Sequence, residues 1–84
     1  MPNPQLRKQD AFIARFPAEM TRTEVENILR QDYKVDSFLK ETTSDDGTVV
    51  VTYQTPINLA GERLFFFRYD INGKLIVVWP IENL

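Results

Sequence analysis

A chain of 84 residues with 12 acidic and 10 basic side chains, a net charge of −2, and neither cysteine nor histidine excludes several kinds of chemistry before any motif is read. Without cysteine there is no disulfide, thiolate nucleophile or thiolate zinc ligand, and without histidine the usual proton carrier near neutral pH and the commonest transition-metal ligand are missing. Charges of both signs scattered along the chain leave no basic footprint for a phosphate backbone, so nucleic acid is not expected as a partner.

The length suits a single domain, 1–84, that buries only about 60–65 % of its unfolded surface and is stable by roughly 4–12 kcal/mol. No stretch approaches the ~20 apolar residues of a membrane span, and the first residues lack the basic-then-apolar pattern of a signal peptide. The chain as given reads as soluble and by default cytoplasmic, or as resident in the cell envelope or periplasm if a targeting segment has been trimmed.

Asn3 and Pro4 suit the cap and first position of a helix. Leu6, Phe12, Ile13 and Phe16 then share one helical face until Pro17 ends the pattern. The second helix is announced by Thr21-Arg22-Thr23-Glu24, an S/T-x-x-E capping box, with Met20 and Val25 placed as a hydrophobic staple. Val25, Ile28 and Leu29 form its apolar edge, Glu26, Asn27, Arg30 and Gln31 its wet side. It is expected to end near Asp32, with Tyr33 and Val35 anchoring the chain just beyond.

The spacing between Ser37 and Thr42 alternates only in part and reads as an edge strand or a structured loop. Ser44-Asp45-Asp46-Gly47 is a turn, and Thr48–Gln54 is a strand that Pro56 should stop. After a loop from Thr55 to Glu62, the run RLFFFRYDINGKLIVVW from Arg63 to Trp79 reads as a β-hairpin turning at Asp70-Ile71-Asn72-Gly73. Pro80 ends the last strand. Two helices followed by three or four strands with short links predict an α+β fold, two N-terminal helices packed on one face of a 3–4-stranded antiparallel meander, in two layers.

Strand alternation sets Phe65, Phe67 and Tyr69 against Leu64, Phe66 and Arg68, and Leu75, Val77 and Trp79 against Ile76 and Val78. Apolar groups thus point both ways. Helices with one stripe each cover one side, which leaves Phe66, Ile76 and Val78 on the other. Such a patch is either a contact surface or is covered by the N-terminal arm or the segment 34–43. Arg63 and Arg68 beside it have the character of interface anchors.

Little else carries chemistry. Asp45-Asp46-Gly47 lacks the further ligands of a calcium loop, and Asp70 with Asn72 and Gly73 is explained by turn sterics. Ser37 and Ser44 have no histidine to activate them, and Glu24 is occupied by its capping role. Phe65-Phe66-Phe67 lacks the basic frame of an RNA-binding strand. No cofactor, metal site or catalytic residue is expected, and the chain reads as a non-enzyme.

Three stretches carry a family resemblance. Met20-Thr21-Arg22-Thr23-Glu24-Val25-Glu26-Asn27-Ile28-Leu29, Val49–Gln54 and Leu64–Leu75 resemble the helix start, the first aromatic-bearing strand and the hairpin of the SmpA/OmlA (BamE) lipoprotein family, whose fold group includes β-lactamase inhibitory protein. The chain departs from that family in having Glu19 where it has glycine and Gln31-Asp32-Tyr33 where it has Gly-Thr-Pro. It also has no lipid-acceptor cysteine. The resemblance implies an ααβββ(β) fold and a scaffolding or inhibitory role exerted through the surface.

The expected function is therefore a protein-interaction, scaffold or inhibitor-like module. Its interface would be formed by Arg63, Phe66, Arg68, Ile76 and Val78, and its partner would be another protein or a second copy of itself. The alternative is a carrier of small apolar ligands or lipids with a cleft lined by Phe12, Phe16, Phe65 and Phe67.

Overall fold

A computed structural model describes residues 10–58 and 61–80, with the side chains of 56–58 and 61–63 outside the description. The expected helix start at Asn3-Pro4 and the position of Leu6 lie outside the described residues. A helical segment at 10–14 (α1) is followed by the helix Arg22–Tyr33 (α2). The strands are Lys40–Thr43 (β1), Val49–Asn58 (β2), Gly61–Tyr69 (β3) and Leu75–Pro80 (β4). They form one antiparallel sheet in the order β1-β2-β3-β4, so the chain is α+β with a meander sheet.

The start of α2 follows the expected chemistry. Thr21 Oγ1 accepts from the Glu24 N–H (3.2 Å), and Glu24 Oε1 accepts from the Thr21 N–H (2.9 Å). That donation from the Thr21 backbone holds the Glu24 carboxyl below the usual carboxylate range. Val25 is buried and Met20 packs on the core. The helix ends at Lys34, whose φ of 60° is left-handed, while the Val35 N–H reaches back to the Leu29 carbonyl at 2.9 Å.

Between the helices the backbone locks onto the sheet. Glu19 N–H donates to the Leu75 carbonyl (2.7 Å) and Leu75 N–H to the Met20 carbonyl (2.8 Å). Arg22 N–H donates to the Gly73 carbonyl at 3.1 Å. The start of β4, an edge strand on its far side, therefore has its polar groups satisfied by the segment that leads into α2. Glu19 adopts φ 73° to make this approach, a conformation that favours glycine.

Three boundaries differ from the expectation. The first strand is Lys40–Thr43 rather than Ser37–Thr42, because pairing of Lys40 with Thr52 through Thr43 with Val49 sets where the ladder begins. Helix α2 runs one residue past Asp32. Strand β2 continues through Pro56 to Asn58, and the expected loop from Thr55 to Glu62 shrinks accordingly. Proline is accommodated because the β2–β3 register shifts between Thr55 and Asn58, where no regular donation is needed.

The largest departure is in β4. Phe67 pairs with Val78, Phe66 with Trp79 and Arg68 with Val77, yet Tyr69 pairs with Leu75. Ile76 is therefore an extra residue, and this bulge reverses the alternation between Leu75 and Val77. Leu75 and Val78 join the core with Phe65, Phe67 and Tyr69, while Val77 and Trp79 lie opposite Arg68 and Phe66.

The core draws on every element except β1. Phe12 and Phe16 come from the α1 region, Val25 and Leu29 from α2, and Val51, Tyr53, Phe65, Phe67, Tyr69, Leu75 and Val78 from the sheet. Ring centroids lie 4.4 Å apart for Phe12 and Phe65, 5.0 Å for Phe16 and Phe67, and 5.3 Å for Tyr53 and Phe67. The last two pairs meet edge to face and the first is tilted, and aromatic contacts of these kinds add to the area buried. Both turns at one end of the sheet use glycine at positive φ, Gly47 at 89° and Gly73 at 80°. A Cβ on Gly47 would also come within 2.8 Å of Ile71 Cγ2, so the two turns touch.

Candidate interaction surface

The face of the sheet opposite the core is built from two cross-strand rows. Lys40, Thr52, Phe66 and Trp79 form one, and Thr42, Val50, Arg68 and Val77 the other. Phe66 and Trp79 are each half-buried, and their rings lie 5.0 Å apart, tilted by 48°. Thr52, directly opposite Phe66, is itself buried. Val77 beside Arg68 is 43 % exposed and the bulged Ile76 is 45 % exposed.

Arg68 anchors the end of this face near the β1–β2 turn. Its Nη2 lies 3.5 Å from Thr48 Oγ1 and 3.9 Å from Asp46 Oδ2. Its Nε is buried without an acceptor among the described residues. Asp46 Oδ1 accepts from the Thr48 N–H (3.0 Å) and from the Thr48 hydroxyl (2.7 Å). The backbone donation from Thr48, with its hydroxyl and the nearby Arg68 adding to it, holds the Asp46 carboxyl below its ordinary range. The equivalent carboxylate in the β3–β4 turn, Asp70, accepts from the Asn72 and Lys74 N–H groups, both at 2.9 Å. Asp46 and Asp70, which resemble metal ligands in sequence, thus hold turns.

Of the five residues expected at the interface, Phe66 and Arg68 share this face and Ile76 is exposed at its bulge. Val78 does not belong there. It is 6 % exposed and packs in the core opposite Phe67, because the extra residue at Ile76 moves it to the other side. The Arg63 side chain lies outside the described residues. Trp79 and Val77 take the place of Val78, and Asp46 with Thr48 supplies the polar end of the surface. No signal in a continuous apolar run such as Leu75–Trp79 marks where a bulge falls, so periodicity of two assigns these residues to the wrong sides.

The four phenylalanines expected to line a ligand cleft are instead packed against one another; Phe12, Phe16, Phe65 and Phe67 are all buried in the core. A cavity of about 150 Å³ lies elsewhere, between Glu26, Arg30, Val35, Asp36, Phe38 and Tyr53. It is smaller than the ~300 Å³ at which small-molecule sites begin, and its walls mix charged Glu26, Arg30 and Asp36 with Val35, Phe38 and Tyr53. A shallower depression of about 290 Å³ adjoins it along 33–37, Leu39 and Gln54.

Above the core rim, Arg22 binds three elements together. It pairs with Glu26 at 3.2 Å and with Glu41 on β1, and its guanidinium stands 5.7 Å from the Tyr69 ring and 5.9 Å from the Phe38 ring. The hydroxyls of Tyr53 and Tyr69 are buried beneath it without partners among the described residues. Burial pushes the Tyr53 hydroxyl up to about 12 and Tyr69 further still.

Comparison with protein-family models, curated proteins and solved structures finds no match to this chain. Among the described residues no helix is long and apolar enough to cross a membrane.

Proposed function

We propose that the chain is a two-layer module whose two helices cover one face of the sheet, and that the opposite face binds another protein without catalysing a reaction. The observation that carries this reading is the half-exposed Phe66–Trp79 pair lying beside Arg68 on the side away from the core. Aromatic and arginine side chains at the centre of a patch are what protein interfaces concentrate, because a stiff aromatic ring buries a large area at low entropic cost and a guanidinium adds directed hydrogen-bond donors.

A kinship with the SmpA/OmlA (BamE) group is part of the same reading. It draws support from Glu19, whose left-handed backbone stands where that family carries glycine. On this view the fold is a rigid support and the outer face is the working surface.

The test is capture from source extract with the wild type and with Phe66→Glu. A specific partner bound by the wild type and lost from a variant of unchanged unfolding midpoint supports the reading. Equal capture by both proteins refutes it.

A further inference from the structure

The outer face carries an anion and a cation side by side, and neither is saturated. Asp46, with its side chain 62 % exposed, commits Oδ1 to Thr48, and among the described side chains Oδ2 is met by Arg68 at 3.9 Å. Arg68, with its side chain 42 % exposed, makes no closer polar contact than 3.5 Å among the described residues. A guanidinium presents a planar fork of five N–H donors suited to two parallel bonds with a carboxylate, and nothing among the described residues fills that fork.

A cation and an anion paired with each other only at 3.9 Å, next to an apolar pair, form a surface that complements itself under a two-fold rotation, since each copy can offer the other a closer partner. A partner of one charge sign would be attracted by one of these groups and repelled by its neighbour. Resting on the reading of the outer face above, we propose that its partner is a second copy of this chain. The two copies dock face to face, with Arg68 of each paired to Asp46 of the other and with Phe66 and Trp79 packed beside these pairs.

Four strands ~4.8 Å apart, each with roughly six residues at ~3.3 Å, give a planar footprint of about 400 Å² per copy. Two such footprints total roughly 800 Å², below the ~1,200 Å² at which stable specific interfaces begin and within the range of weak, transient association. The dimer is therefore weak and is populated at high protein concentration.

Sedimentation equilibrium from micromolar to millimolar protein tests this with four samples of the full chain: wild type, Arg68→Asp, Asp46→Arg, and an equal mixture of the two variants. The wild type should show a monomer–dimer equilibrium, and each variant alone should associate at least about tenfold more weakly because both cross-pairs become like-charged. The mixture should recover to within about threefold of wild type, since every cross-pair between unlike variants is again of opposite sign. A folding defect cannot be repaired by mixing, so recovery reports on the interface alone.

A wild type that stays monomeric to millimolar concentration, or a mixture no better than its components, overturns the second-copy assignment. If that happens while Phe66→Glu still abolishes capture of a different protein, the outer face remains a binding surface and only its partner is reassigned. A wild-type dimer unaffected by Phe66→Glu overturns both.

Discussion

Replacing valine by threonine changes polarity while nearly keeping shape and β-branching, which makes Val78→Thr and Ile76→Thr a direct test of the bulge in β4. Val78 is 6 % exposed and sits opposite Phe67 in the core, whereas Ile76 is 45 % exposed and has no partner on β3. Placing a hydroxyl at 78 without a hydrogen-bond partner should cost about 2 kcal/mol, within the range measured for buried polar groups in proteins. The same residue at 76 should shift stability by no more than about 0.5 kcal/mol. Against a total of roughly 4–12 kcal/mol for a chain of this length, the first change is large. Near the melting temperature it amounts to a fall of about 8–16 °C. Urea unfolding followed by circular dichroism measures both variants, with an unchanged slope showing that the denatured state is not responsible. If Ile76→Thr costs as much as Val78→Thr, or if the two are reversed, the alternation is uninterrupted and the surface described here is assembled from the wrong side chains.

Two further outcomes follow from the backbone and the buried hydroxyls. Glu19→Gly should stabilise the protein by about 0.5–1 kcal/mol, because it relieves a left-handed φ of 73° without touching the bond from its N–H to the Leu75 carbonyl; a loss of that size in thermal unfolding would show that the turn before α2 is not strained. The tyrosine ionisation of the fold is linked to its stability in alkali. With Tyr53 raised to about 12 and Tyr69 beyond it, both hydroxyls are neutral in folded and unfolded chains below pH ~10, where stability is intact, and stability falls as pH rises from ~10 through the folded values because only the unfolded chain ionises freely. Absorbance of tyrosinate should therefore show the titrations of Tyr53 and Tyr69 coinciding with unfolding; their titration near 10 in the folded protein would contradict their burial.

Local chemistry was the legible part of this fold. The capping box at Thr21 and Glu24, the staple of Met20 and Val25, and the turns at Gly47 and Gly73 each depend on residues within a few positions of one another. The sequence therefore states them outright. The apolar stripe through Phe12, Phe16, Val25 and Leu29 was equally plain, as was the core side of Phe65, Phe67 and Tyr69. What could not be read were features set by register between distant strands. Nothing near Ile76 announces that it will have no partner, because Leu75–Trp79 is apolar at every position and either phase of alternation satisfies it. Pro56 was expected to stop β2 on the ground that it cannot donate, and whether that matters depends on a register shift against β3. The candidate surface followed the same pattern. Phe66 and Arg68 were placed by alternation within one strand, while Trp79 and Asp46 joined them only through pairing with other strands and turns.

The claim that a contact surface exists at all depends on the outer face being open in the isolated molecule. Trp79 is the single tryptophan of the chain and sits in that face beside Phe66, so its fluorescence reports on the surface without any label. Acrylamide quenching at a concentration where sedimentation shows a monomer measures it most directly. An open face predicts that the quencher reaches the indole of the folded protein and reaches it faster in Phe66→Ala. An indole shielded from acrylamide in the monomer, and no more accessible when Phe66 is removed, would mean that the face is already covered and has no partner to bind.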